Sequence, residues 1–332
     1  MKKFGVSICV CLLICLFILS SCTTTTSSSS PTEKKLKVAL VLDNRINDHG
    51  WNQMAYEGLK KAGEQLGVET AYSELVAIAD FEKVLRDYAS KGYDLIINHS
   101  SIAKDAVLNT AKDYPNLKFL WTDGDTTKDN LAVIVPMSQE SSYLAGLLAG
   151  YMTKSKIIGM VGGMDIPSAH RSFAGFEMGL KAAAPDAKLL VNWVGSFVDV
   201  PAGHEAALTQ IESGADVVWG NGDGQNLGVL EACKEKNVLA IGAVWDQYEV
   251  APSVVLTSVI WGLDEGIVQV IQDLIDGKFK GDFYKIDIKH GSRLAPYHDN
   301  EKLIPAEVQQ KIKDAEQKIL NGELVIPVKD QG

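Results

Sequence analysis

The residues best suited to chemistry are rings set beside carboxylates and amides. Trp51 follows Asn47-Asp48-His49-Gly50, and Trp121 precedes Thr122-Asp123-Gly124-Asp125. Trp219 precedes Gly220-Asn221-Gly222-Asp223-Gly224, Trp245 precedes Asp246, and Trp261 follows Ser258-Val259-Ile260. Trp193 lies just before Ser196-Phe197-Val198-Asp199. Taken singly, each indole is well explained by core packing. Taken together, they sit where strands end and loops begin, with Asp or Asn close by. Such a set suits a flat, hydrogen-bonding ligand. A ring stacked on a base contributes about 1–3 kcal/mol, and a hydrogen bond to a charged group about 1.5–3 kcal/mol before desolvation. Two rings and two such bonds support micromolar affinity without any catalysis. The candidate binding set is Asp48, Trp51, Asn52, Ser100, Asp123, Phe197, Asn221, Asp246 and Trp261.

Enzymatic patterns are weak by comparison. The chain has no G-x-x-x-x-G-K-[ST] loop and no G-x-S-x-G elbow. Gly220 to Gly224 resembles the start of a dinucleotide fingerprint, but Gln225 stands where a third Gly is wanted. The six histidines are scattered without metal-ligand spacing. Asp123, Asp125 and Asp129 lack the Gly of a calcium loop. Asp48 and His49 are adjacent and have no nucleophile to activate. The expectation is a binding protein with no cofactor and no metal.

Alternating elements must position these loops. Apolar runs at Lys37–Leu42, Val68–Tyr72, Asp94–Asn98 and Leu117–Trp121 read as strands, with helices at 50–66, 80–91 and 103–114 between and around them. The rhythm restarts with a helix at 139–153 and strands at 156–162, 188–194, 216–220 and 239–243. Helices at 168–184, 202–214 and 227–236 lie between them. A strand at 256–260, a helix at 263–276, a strand at 283–288 and a helix near 305–320 close the chain. Unbroken apolar strands joined by helices are parallel strands buried on both faces. The expected fold class is α/β, two doubly wound parallel-sheet lobes in series. Lobe 1 is expected to hold residues 36–136 plus 257–285, and lobe 2 residues 137–256 plus 286–332. In open sheets of this kind, ligands bind beyond the carboxyl ends of the strands, where the rings and acids lie.

Length and composition agree. The chain has 332 residues, is 46% hydrophobic and 22% charged, and carries a net charge of −10. That is enough for two domains and too acidic for nucleic acid as a partner. At the N-terminus, Lys2 and Lys3 precede the apolar run Phe4 to Leu19 and then Leu19-Ser20-Ser21-Cys22. This reads as a signal peptide over residues 1–21, with Cys22 as a lipidated mature N-terminus and 22–35 as a flexible Ser/Thr-rich tether. The remaining cysteine of the mature chain, Cys233, is read as a buried helix residue. The expected location is the extracytoplasmic face of the cell membrane, held by the lipid.

The residues also carry a resemblance. Val38 to Leu59 with Asn47-Asp48-His49-Gly50-Trp51, Phe119-Leu120-Trp121-Thr122-Asp123, Gln139 to Gly146, Gly159 to Gly179, Ser196 to Asp199, Gly214 to Val217 and Leu256-Thr257-Ser258 resemble the basic membrane protein lipoproteins. These are substrate-binding components of purine nucleoside-type ABC importers. The resemblance implies a type I periplasmic-binding-protein fold that clamps a purine nucleobase or nucleoside between its lobes. It implies an ABC permease and ATPase as partners, and a monomer. By similarity, Trp51 stacks on the base with Asn52 beside it, Phe197 is the ring from the second lobe, and Asp123 and Asp246 accept hydrogen bonds. Nucleoside-binding members carry a Lys shortly after the Thr-Ser pair, where it meets the ribose; Trp261 stands there in this chain, which favours a free base. The alternatives are a ligand sensor that docks a membrane receptor, and a nucleoside hydrolase.

Overall fold

The computed structural model of the protein describes residues 35–329. The expected signal peptide, the lipid site Cys22 and the tether up to residue 34 lie outside the described residues. The chain runs β1 (Lys37–Leu42), α1 (Trp51–Leu66), β2 (Glu69–Ser73), α2 (Phe81–Ser90), β3 (Leu95–His99), α3 (Lys104–Asp113), β4 (Lys118–Thr122) and β5 (Leu131–Pro136). Then follow α4 (Gln139–Met152), β6 (Ile157–Gly162), α5 (Pro167–Ala183), β7 (Lys188–Trp193), α6 (Val200–Glu212), β8 (Val217–Asn221), α7 (Gly224–Lys236) and β9 (Leu239–Val244). The chain closes with β10 (Val255–Ile260), α8 (Leu263–Ile275), β11 (Phe283–Ile286), β12 (Arg293–Leu294) and α9 (Ala306–Leu320).

Two six-stranded sheets result, one per lobe. The first has the order β11-β5-β4-β3-β1-β2, the second β12-β10-β9-β8-β6-β7. All pairings in the first sheet are parallel. The second is parallel except for the short β12, which runs antiparallel to β10. The strands β1 and β3 are apolar and buried almost throughout, as strands covered by helices on both faces must be. This is the α/β fold class that the alternating pattern predicts.

One boundary differs from the sequence reading, which puts residues 257–262 in lobe 1. β10 belongs to the second sheet, where Val255, Thr257 and Ser258 pair with Ala240, Ile241 and Gly242 of β9. A central strand needs ladder partners on both sides, and β9 and β12 supply them. The chain crosses to lobe 1 only at Trp261 and Gly262, and α8 then packs beside α1. β5 is an element absent from the sequence reading. Its partner β11 arrives from far along the chain, pairing Phe283 to Val133 and Ile286 to Pro136.

Three segments cross between the lobes and are bonded to one another. Met137 N–H donates to the Ile286 carbonyl at 2.9 Å. The Ser141 and Ser292 hydroxyls are 2.6 Å apart, and Ser292 Oγ donates to the Ile260 carbonyl at 3.3 Å. Gly262 has φ 79°, and a Cβ there would lie 2.3 Å from the backbone of Gly291. Only glycine fits this crossing.

Candidate ligand-binding site

A cavity of about 350 Å³ lies between the lobes at the carboxyl ends of both sheets, the size range of small-molecule sites. Lobe 1 contributes Asp43, Asn44 and Asp48 after β1, the start of α1, Ser101 and Ile102 after β3, and Asp123 after β4. Lobe 2 contributes Met164 and Ile166 after β6, Phe197 and Val198 after β7, Asn221 and Asp223 at β8, and Val244 at the end of β9; Trp261 lies at the crossing.

The entry to α1 shows how this loop is built. Its cap residue Gly50 offers no side chain, so Asp48 does the capping. Its Oδ1 accepts from the N–H groups of Gly50 and Gln53, both at 3.0 Å. Its Oδ2 accepts from Asn52 N at 3.0 Å and Asn52 Nδ2 at 2.9 Å. The remaining first-turn donor, Trp51 N–H, is taken from the other lobe: Asp223 Oδ1 accepts it at 3.0 Å. Four donors need partners at a helix start, and one partner here comes from across the cleft. A Cβ on Gly50 would lie 2.7 Å from Asp223 Oδ1. A second bridge runs from Gln247 Nε2 to the His49 carbonyl at 3.0 Å.

Trp51 is held from below. His99 stacks on it with centroids 4.6 Å apart and planes at 22°. Burial pushes the His99 pKa down to about 3, so the ring is neutral. Its Nε2 lies 3.1 Å from the Trp51 carbonyl and its Nδ1 2.8 Å from Thr122 Oγ1. A carbonyl only accepts, so Nε2 carries the proton and Nδ1 accepts from the threonine. Trp261 meets Trp51 edge to face at 5.9 Å.

The carboxylates are perturbed. Burial raises the Asp223 pKa well above its ordinary value, the charge of Asp48 adds to this, and the Trp51 N–H opposes it. Burial also raises Asp43, against hydrogen bonds from the Ser100 and Asn52 side chains. No Lys, Arg or His lines the cavity among the described residues, and none of the described acids and histidines forms a group able to hold a metal ion.

Of the candidate set, Asp48, Trp51, Asn52, Asp123, Phe197, Asn221 and Trp261 meet at this cavity. Ser100 lies beneath it, buried, with its carbonyl accepting from Trp121 Nε1 at 2.9 Å; Ser101 reaches the surface in its place. Asp246 is not in the lining. Its Oδ2 pairs with His298 Nε2 at 2.7 Å, and its Oδ1 accepts from Tyr248 N–H at 3.1 Å. The chain turns at Val244, which has φ 69°. That turn presents Val244 to the cavity, carries Asp246 away and leaves Gln247 to bridge the lobes. Trp121 and Trp219 are core residues, fully buried, with Trp219 stacked on Phe176 at 4.3 Å. The sequence reading passes over Asp43, Asp223 and Gln247. Asp223 sits in the glycine-rich loop after β8, the same kind of strand-end position as Asp123.

Two doubly wound lobes, three crossings and a ring-lined cavity between the carboxyl ends of the sheets define a two-lobed solute-binding protein. More narrowly, the chain belongs to the Bmp family, described as ABC transporter substrate-binding protein PnrA-like, whose model matches residues 35–330. This agrees with the basic membrane protein resemblance carried by the sequence motifs. A purine-binding protein of Brucella abortus is 29% identical, over 88% of this chain and 83% of its own. A CD4+ T-cell-stimulating antigen of Listeria monocytogenes is 30% identical over 90% of each chain. A solved ABC transporter solute-binding protein from Aeropyrum pernix superposes with a TM-score of 0.77 at 24% identity, covering 88% of this chain and 94% of that one. At that identity the likeness speaks for the fold alone.

Proposed function

We propose that this substrate-binding protein captures a purine, as free base or nucleoside, on the outer face of the cell membrane, where a lipid on Cys22 holds it, and delivers it to an ABC permease and its ATPase. The observation that carries the reading is the pairing of Trp51, Phe197 and Trp261 with carboxylates in one inter-lobe cavity. Rings from either side sandwich a flat heterocycle, and acids accept its N–H groups. Val244 and Trp261 give the second lobe an apolar wall where hydroxyl groups of a ribose would want polar partners, which favours the base over the nucleoside. Contacts from both lobes make the closed state the one that ligand stabilises. The relative in Brucella abortus that is named for purine binding supports the same class.

The test is a thermal-shift panel on the purified full-length chain with adenine, guanine, hypoxanthine, their nucleosides, and several pentoses and hexoses. Ligand at about 100 times its dissociation constant stabilises by about 2.7 kcal/mol, a rise of several degrees in Tm. A rise with purines supports the reading. A rise with sugars alone, or none with any purine, overturns it.

A further inference from the structure

The cavity changes character with depth. Its floor holds Asn52, Asn221 and Trp261, at 4%, 1% and 7% exposure. Each has a polar atom without a hydrogen-bond partner within the protein: Oδ1 of both asparagines, and the indole Nε1. The asparagine Nδ2 groups are already committed, to Asp48 Oδ2 at 2.9 Å and to the Ala169 carbonyl at 3.1 Å. Both of those partners only accept, which fixes the way each amide faces. Buried groups of this kind need partners, and a heterocycle with ring N–H groups and ring nitrogens supplies them. The mouth is the reverse. Ile78 after β2, Ile102 after β3, Met164 after β6 and Val198 after β7 line the same cavity. All four are exposed, Ile102 at 69% and Val198 at 61%. A lone exposed aliphatic side chain calls for no explanation. Here four strand-end loops, two from each lobe, each present one to a single opening, and a grouped apolar surface of this kind marks a place that something covers. At about 350 Å³ the cavity also lies in the range of drug-sized ligands, with room for more than a bare two-ring heterocycle.

Resting on the purine reading above, we propose that the ligand is a purine carrying an apolar arm, an alkyl or cycloalkyl group where a nucleoside carries its sugar or on an exocyclic amine. The ring system sits on the floor, giving N–H groups to the two asparagine oxygens and a ring nitrogen to the indole N–H. The arm points to the mouth, where Ile78 and Ile102 meet it from lobe 1 and Met164 and Val198 from lobe 2. A ribose in that place would set its hydroxyls against four aliphatic side chains. Because the contacts come from both lobes, the arm is enclosed only when the lobes close, and it adds to the closed state alone. Each methylene group taken out of water multiplies affinity about fourfold, so even an arm half covered at the mouth has a measurable effect.

The experiment is titration calorimetry on the full-length chain with two series of probes. One is adenine, adenosine, 9-cyclopentyladenine and N6-cyclopentyladenine; the other is guanine, guanosine, 9-cyclopentylguanine and N2-cyclopentylguanine. The cyclopentyl group has the size of the ribose ring without its hydroxyls. In at least one series, a cyclopentyl derivative is expected to bind at least about tenfold more tightly than both the bare base and the nucleoside, the effect of two buried methylene groups. That ratio is expected to fall towards one when Ile102→Ser and Val198→Ser are combined; both side chains are exposed, so the exchange leaves the cores of the lobes untouched. Cyclopentyl derivatives that bind no more tightly than the base or the nucleoside overturn the inference while leaving the purine reading intact. A ratio unchanged in the double variant overturns the placing of the arm at the mouth. Silence across both series overturns the purine reading itself.

Discussion

Asp223 is the residue at which binding and proton uptake should meet. Between the lobes Asp223 is partly buried, its carboxyl bonded to Trp51 N–H and faced by Asp48 and Asp43 of the other lobe. Its pKa is raised well above the ordinary carboxylate value, first by burial and then by Asp48. The nearby His99 is neutral down to about pH 3 and brings no opposing charge. Separating the lobes would return the group to water and to its ordinary pKa. An acid whose pKa rises on closure holds more protons when closed than when open. Closure, and with it affinity, is therefore fully favoured below the open-state pKa and weakens as pH rises towards the closed-state pKa. A tenfold gain in the carboxylate's hold on its proton is worth about 1.4 kcal/mol, and so about tenfold in ligand affinity. The perturbation is Asp223→Asn, which keeps an oxygen to accept from Trp51 N–H and turns an N–H₂ group towards Asp48 and Asp43. The assay is affinity for the best purine of the thermal-shift panel, by titration calorimetry from about pH 5 to about pH 8. The unaltered chain is expected to lose affinity with rising pH, at up to about tenfold per pH unit for this one proton. The variant is expected to keep only a shallow slope from Asp43, whose pKa is also raised, and to bind at least about tenfold more tightly at the alkaline end. A variant that binds more weakly and keeps the full slope refutes the reasoning, because the carboxylate would then be contributing as a charge.

Trp51→Ala should weaken purine binding by roughly tenfold or more, from the loss of about 1–3 kcal/mol of stacking. Unchanged affinity in a variant with an unaltered circular dichroism spectrum would remove the ring from the contact. Gly50→Ala places a methyl 2.7 Å from Asp223 Oδ1. Overpacking of this kind costs about 1–3 kcal/mol, and it should appear as weaker binding and, by small-angle scattering with ligand, a more open molecule. A compact liganded variant with full affinity would show that the loops do not meet this closely on closure. Asp246→Ala should change affinity by no more than about twofold, as for surface positions generally, because its partners are Tyr248 and His298 outside the cavity. A larger loss on calorimetry would return Asp246 to the site.

Much of the site is legible because strand ends can be read from apolar runs. Trp51, Asp123, Phe197 and Asn221 follow such runs, and all reach the cavity. Rings are ambiguous: Trp121 and Trp219 also sit at strand ends, but their side chains point into the cores. What a linear reading misses is whatever depends on an approach between distant segments. Asp223 caps a helix that begins 172 residues earlier, and nothing local announces that contact. Val244 displaces Asp246 through a left-handed turn at a β-branched residue, a conformation that side-chain type argues against. The residues of β10 suit either sheet, so their own pattern does not choose a lobe; pairing with β9 and β12 decides the matter.

The pairing of β11 with β5 also sets a timetable for assembly. As the chain emerges N-terminus first, residues 37–136 can lay down five strands of the first sheet. The edge then presented is β5, Leu-Ala-Val-Ile-Val-Pro, five of whose six residues are buried in the finished protein. It stays uncovered until almost the whole second lobe has followed and residues 283–286 return to seal it. An unpaired apolar edge is a template for pairing with other chains. The period between synthesis of β5 and arrival of β11 is thus when this protein is most exposed to aggregation and most in need of a holdase.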